Sequence, residues 1–337
     1  MRLISLSLLL LRGCEAYVAE DGPARRATIE KVRNLYWDAP TDATVSSERC
    51  TGTIVMMDNR LMPLANTTKE NGFLKASDVP YYKKAFALNY LYAKRHGLNF
   101  RIIRPTSGAW LSAQGAKSAA RNEMDSSTLC PAWCRVKILA SLVASSRQAA
   151  TACHWIVYID SDAFIREQHT SLMQKLGMPS NAGVHVAISR EELPAGGFRS
   201  NRKRSHGVRV PSMNAGILFV RVSSWSAAFL ATWMRASALP ICEPFRSSWP
   251  CEQQCFHEIL RNGTILPDGW RHRIATAPMQ LFNSPYGQFI RHVWGGPGVE
   301  LRKRVFDDEL KVQGVWKRKY FVRLVHEAQA MASDMPC

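Results

Sequence analysis

A buried strand that ends in two carboxylates constrains this chain more than any other feature. Trp155-Ile156-Val157-Tyr158-Ile159 is an unbroken run of apolar, β-favouring residues, and Asp160-Ser161-Asp162 follows at once. Alternate residues of an extended backbone point the same way, so Asp160 and Asp162 can face one pocket at the strand's carboxyl end. Carboxylates beside a core are costly unless a cation neutralises them. Their hard oxygens suit Mg²⁺ or Mn²⁺, an ion that can in turn carry a diphosphate. The plainer alternative for Asp-x-Asp is a solvated turn or a helix cap, and the flanking sequence has to decide between them.

That flanking sequence alternates strands and helices. Thr53 to Asp58 reads as a buried strand. Tyr81 to His96 carries Ala85, Leu88, Leu91 and Tyr92 at helical spacing and stops at Gly97. Phe100 to Ile103 is a second strand, and Pro131 to Arg147 is a helix with Val136, Leu139 and Val143 on one face. This order predicts an α/β fold, a Rossmann-like, mainly parallel sheet flanked by helices on both faces. In such sheets ligands bind at the carboxyl ends of strands, where Asp160 and Asp162 stand. Residues 194–212 form an irregular basic stretch (Arg199, Arg202, Lys203, Arg204, Arg209), which either closes over a phosphate or is a solvated loop. Met213 to Val220 returns to a buried strand and leads into an amphipathic helix over Trp225–Trp233.

The N-terminus raises the question of compartment. Met1-Arg2, the apolar run Leu3 to Leu11 and the small residues after it fit a signal peptide or a truncated signal anchor over 1–16, with a stem at 17–50. The run is shorter than the ~20 residues a bilayer span requires. Asn66-Thr67-Thr68 and Asn262-Gly263-Thr264 match the N-glycosylation acceptor. Without Cys14 the cysteines form an even set: Cys50, Cys130, Cys134, Cys153, Cys242, Cys251, Cys255 and Cys337. The C-x₃-C pairs lack the histidines or second C-x₂-C of a zinc site, which favours disulfides or buried thiols. Together these features point to the secretory pathway, the Golgi lumen first, and leave open membrane association through the N-terminus. The 44 Lys and Arg against 27 Asp and Glu give a net charge of +17, suited to anionic ligands or surfaces. Only that charge speaks for nucleic acid, since no recognition motif accompanies it. Oligomeric state is not legible.

The order of motifs resembles a known glycosyltransferase family, that of fungal α-galactosyl- and α-mannosyltransferases and plant xyloglucan α-xylosyltransferases. Asn89 to Gly97 is similar to its early helix ending in His-Gly, and Pro131 to Lys137 to the helix before its metal motif. Trp155 to Ala163 resembles its strand ending in Asp-Ser-Asp-Ala. Met213-Asn214-Ala215-Gly216 with Arg221 and Trp225 is similar to its Asn-x-Gly segment. Glu252-Gln253 stands where the family has Asp-Gln, and His292-Val293-Trp294-Gly295 where it has a metal-binding His-Phe-x-Gly, without the usual Cys and Lys after it. The similarity covers roughly residues 52–297.

The resemblance implies a GT-A fold, a glycosyltransferase domain over 51–300 with a small acceptor-side subregion, followed by a basic C-terminal extension at 301–337. It implies a retaining transfer of a hexose or pentose from a nucleotide-diphosphate sugar to a glycan or glycoprotein acceptor. Asp160, Asp162 and His292 would hold Mn²⁺ (or Mg²⁺), the imidazole favouring manganese. Glu252 and Gln253 would lie under the transferred sugar, although an acidic residue there also suits a helix N-terminus. Ser161, Asn214, Gly216 and Trp294 would line the donor site, together with Asp160, Gly216 allowing close backbone approach. Lys137 is a solvated cation or a phosphate contact, and Trp155, Trp225 and Trp233 read as core. Two other functions stay open. One is an inactive luminal or secreted binding protein of the same fold. The other is an Asp-x-Asp phosphatase, for which Asp307-Asp308 is the nearest second acidic element.

Overall fold

A computed structural model of the chain describes residues 51–58, 79–106, 129–130, 132–147, 154–176, 183–190, 213–247, 251–294, 299–315 and 317–336. The expected leader and stem, the Asn66 sequon, the basic loop at 194–212 and Gly295–Pro297 lie outside these residues.

Strand β1 (Thr51–Met57), helix α1 (Tyr81–His96), strand β2 (Asn99–Thr106), helix α2 (Trp133–Arg147) and strand β3 (His154–Asp160) follow the alternation expected from sequence. Gly97 ends α1 in the left-handed region, at φ 63°, and its N–H bonds back to Ala93 O. Both β2 and β3 pair parallel with β1. A short strand, β4 (Ala163–Ile165), leaves the main sheet just after β3. Beyond β3 the direction in the main sheet reverses, because β6 (Met213–Arg221) runs antiparallel to it and to β5 (Val186–Arg190). Strand β7 (Ile274–Ala277) completes that edge, parallel to β5. The next strand, β8 (Ile290–His292), joins β4 in a separate two-stranded sheet. At the other edge of the main sheet β9 (Ala332–Pro336) lies parallel to β2. The fold is thus mixed α/β with a mainly parallel seven-stranded sheet, in the order β7-β5-β6-β3-β1-β2-β9.

Strand alternation divides the core into two faces. Val55, Met57, Ile156 and Tyr158 join a cluster with α2, α3 (Ser224–Ala236) and α4 (Cys251–Asn262). Met56 points the other way, where the Asn89 amide of α1 meets its sulfur at 3.3 Å. Helices α5 (Val299–Val312) and α6 (Arg318–Ala330) pack on α1. The C-terminal residues set apart in sequence as a basic extension therefore supply two helices and an edge strand to the same sheet. Asp160 shares the parity of Ile156 and Tyr158, so it projects toward the α2 face. A one-residue slip in β3 would turn it away.

Trp155 and Trp233 are core residues, 1% and 0% exposed, and Trp225 stacks on Phe229 at 5.4 Å. Disulfides join Cys130 to Cys251 and Cys242 to Cys255, and Cys134 is disulfide-bonded too, as expected in place of a metal cluster. Among the described residues no helix is long and apolar enough to cross a membrane.

Candidate metal and donor site

Three side chains converge at the carboxyl end of β3. One ligand atom each from Asp160, Asp162 and His292 lies within 4.8 Å of the others. The histidine is far away in sequence, and the small second sheet delivers it. Strand β4 begins directly after Asp162 and pairs antiparallel with β8, setting His292 opposite Ala163. Val293 N–H donates to Asp162 O at 2.9 Å, which locks the register at the site. Asn89, fully buried on α1, braces β4 from behind. Its amide donates to Ala163 O at 3.0 Å and accepts from Ile165 N at 2.9 Å.

The histidine is aimed by a second residue. Its Nδ1 lies 2.5 Å from Asn283 Oδ1, which can only accept, so Nδ1 donates to it and Nε2 is left to face the carboxylates. Nε2 lies 2.9 Å from Asp162 Oδ1 and 3.8 Å from Asp160 Oδ2. Bonds of ~2.1 Å at right angles would set neighbouring ligand atoms roughly 3 Å apart, so the donor set fits a small divalent ion with little rearrangement. Gly216 makes room for it. A Cβ there would collide with the His292 ring and lie 2.6 Å from Asp160 Oδ2 and 2.9 Å from Asn214 Oδ1. Arg302 of α5 reaches within 3.7 Å of Asp162 Oδ2 from the other side. Burial alone would raise the Asp162 carboxyl, but the charge and hydrogen bond of His292, with Arg302, outweigh it and hold the pKa below the ordinary value.

Beneath the carboxylates lies a buried charge cluster centred on Arg135. This guanidinium is on α2, on the stripe with Ile138, Leu139 and Leu142, and is 8% exposed. Its Nη1 donates to Ala215 O at 2.8 Å and sits 3.4 Å from Asp160 Oδ1, while Nε lies 3.2 Å from Glu252 Oε1. Tyr158 completes the cluster, donating its hydroxyl to Asp160 Oδ1 at 2.6 Å under the guanidinium. Burial opposes the Arg135 charge, yet Asp160 and Glu252 together raise its pKa above the usual arginine value. Glu252 is only 1% exposed. Burial raises its pKa, and Arg135 offsets this in part. Its Oε2 is buried with no hydrogen-bond partner among the described residues.

The remaining sequence candidates fall around this centre. Asn214 Oδ1 accepts from Gly216 N at 2.8 Å, and Gln253 Oε1 accepts from Ala215 N at 3.0 Å, so α4 is pinned to β6 beside the site. Ser161 is half-buried in the turn between the two aspartates. Trp294 is half-buried, its indole N–H donating to Asn283 O at 2.8 Å. Lys137 is exposed on α2; the cation that matters on this helix is Arg135, two residues earlier. Asp307 pairs with the buried Lys84 and Asp308 with Lys311, and among the described residues neither belongs to the Asp160, Asp162 and His292 group. Arg135 and Asn283 are among the site residues that the sequence motifs do not single out, as is Arg302. A lone arginine on an apolar helical stripe is a readable signal for the first. Nothing local marks the second.

No protein-family profile matches the chain, and no curated protein does. Solved structures similar to it include a glycosyltransferase involved in the glycosylation of the major capsid of PBCV-1, at 13% identity and TM-score 0.46, covering 77% of this chain and 99% of that one. The galactosyltransferase LgtC, in complex with donor and acceptor sugar analogs, is similar at 12% identity and TM-score 0.37, covering 76% and 95%. Mouse xyloside xylosyltransferase 1 in its apo form is similar at 11% identity and TM-score 0.35, covering 72% and 97%. The functional reading rests on the site's own residues.

Proposed function

We propose that this chain is a metal-dependent glycosyltransferase of the GT-A type, moving a sugar from a nucleotide-diphosphate donor to a glycan or glycoprotein acceptor. The observation that carries this reading is the convergence of Asp160, Asp162 and His292 at the carboxyl end of β3. The mixed oxygen and nitrogen set suits Mn²⁺ better than Mg²⁺. When bound, the ion would neutralise the negative charge that grows on the departing nucleoside diphosphate. The chain's residues hold the ligands in place. Asn283 fixes the imidazole, Arg135 and Tyr158 fix Asp160, and Gly216 keeps the space beside them clear of side chain.

Glu252 and Gln253 belong to the sugar side in this reading. Glu252 is sealed under Arg135, so it acts on the sugar through its charge and not by contact. A negative carboxylate there supports positive charge at the anomeric carbon, which suits the retaining outcome that the sequence resemblance implies. Asn214 and Trp294 line the donor, and the chain works in the lumen of the secretory pathway, where its disulfides persist.

The test is release of nucleoside diphosphate from a panel of nucleotide sugars with Mn²⁺, for the full chain and for Asp162→Ala. Metal-dependent release that the substitution abolishes is expected. No release from any common donor, or full activity in Asp162→Ala, would overturn the proposal.

A further inference from the structure

We infer that Asn262 is an N-glycosylation site and that the first sugar of its glycan lies against Trp270. Asn262 is the last residue of α4 and its side chain is exposed, although the rest of that helix buries Phe256, Ile259 and Leu260. Its Oδ1 accepts from Thr264 N at 3.2 Å and from the Thr264 hydroxyl. The acceptor threonine thus engages the amide oxygen, and Nδ2 is the end presented outward. Gly263 makes the turn possible. It stands at φ 70°, a conformation that side chains disfavour, and a Cβ there would meet the Trp270 ring at 3.3 Å. The Cys130–Cys251 and Cys242–Cys255 disulfides tie down the same helix. They agree with folding in an oxidising compartment, where the modification is made.

The surface beside Asn262 is shaped to receive a sugar. A hollow of about 430 Å³ opens at the next residue, lined by Gly263, Thr264, Asp268, Trp270 and Arg271 among others. Trp270 is half-buried and Arg271 lies over its ring at 4.9 Å, which holds the indole in place. Trp270, with Arg271 over one face of its ring and Asp268 in the same lining, offers both the apolar and the polar contacts a pyranose uses. In the transfer, Asn262 Nδ2 bonds to the anomeric carbon of an oligosaccharide diphosphate. That carbon's bond to the diphosphate oxygen breaks, and the amide proton leaves to the base of the host transferase.

The full chain, secreted from eukaryotic cells behind a cleavable leader and carrying Asn66→Gln, isolates this site. Peptide-N-glycosidase leaves an aspartate wherever it removes a glycan from asparagine. Mass spectrometry of the peptide spanning residue 262 is therefore expected to show that conversion after digestion, and little unmodified peptide before it. Thr264→Ser should keep the modification and Thr264→Ala should lose it. Trp270→Ala should keep it but speed glycan release from the native protein several-fold. Secreted, disulfide-bonded chain with Asn262 unmodified would overturn the site, and an unchanged release rate in Trp270→Ala would overturn the seat on Trp270.

Discussion

Arg135→Met should be among the most damaging single substitutions in the core, and the structure indicates by how much. The guanidinium is the cation paired with Glu252, which is 1% exposed, and it also supports Asp160. Removing one member of a buried pair leaves an uncompensated charge and typically costs about 3–5 kcal/mol. For a domain of this size each kcal/mol lowers the melting temperature by about 2–4 °C, so a drop of roughly 6–20 °C is expected. Adding Glu252→Gln removes the stranded charge, and the double variant should recover at least about half of the loss through their coupling. The pH dependence has a definite sign. Glu252 titrates above its ordinary carboxyl value in the folded chain, chiefly through burial. The folded state therefore binds the extra proton, and stability falls as pH rises from the unfolded carboxyl pKa through the folded one. Without Arg135 the folded pKa rises further, so the defect of Arg135→Met should grow with pH, and that growth should be lost when Gln replaces Glu252. Thermal unfolding of the parent chain, both single variants and the double variant, from acid to neutral pH, is the assay. A melting shift below about 2 °C for Arg135→Met, or strict additivity in the double variant, would refute the reasoning.

Other perturbations address the rest of the site. Gly216→Ala places a methyl against Asp160 and His292 and should abolish Mn²⁺ binding measured by calorimetry, with about 1–3 kcal/mol of lost stability. Asn283→Leu frees the imidazole from its orienting bond and should weaken Mn²⁺ affinity by about 10–100-fold with the fold intact by circular dichroism. His257 is held neutral with its pKa lowered to about 4, first by burial, while Nε2 accepts from Met213 N. Its unfolded form binds the proton first, so it should remove stability on the order of 3 kcal/mol as pH falls from the ordinary histidine value toward 4. His257→Gln should flatten that part of the stability profile, followed by chemical denaturation at each pH. Reduction of Cys130–Cys251, which joins the approach to α2 to the start of α4, should cost about 2–5 kcal/mol in the same measurement and loosen the Arg135–Glu252 pair with it.

Elements whose information is local are legible in the amino-acid sequence. Apolar runs and Gly97 mark β1, α1, β2, α2 and β3, because strand alternation, helical spacing and a left-handed cap act over a few residues. The apolar run is enough to set Asp160 at the carboxyl end of β3, but Ser161 and Asp162 lie in the turn that follows, so that turn rather than strand alternation aims the second carboxylate. Family resemblance supplies His292, whose sequence neighbourhood alone does not distinguish it from a solvated histidine.

How these pieces meet is a matter of tertiary packing. The pairing of β4 with β8 brings His292 to Asp162 across 130 positions of chain, a contact no local pattern encodes. Glu252 looks in sequence like an acidic residue opening a helix, yet the approach of α2 seals it under Arg135. Lys137 and Arg135 are both cations on one helix, and only packing separates the exposed one from the buried one. The segment Ala332–Pro336 has no alternating apolar signature, but β2 offers an open edge and the backbone pairs with it. Local sequence sets which backbone states are cheap. Which distant charges and edges become neighbours is set by the burial of the whole core, and that is where this site acquires its histidine and its buried arginine.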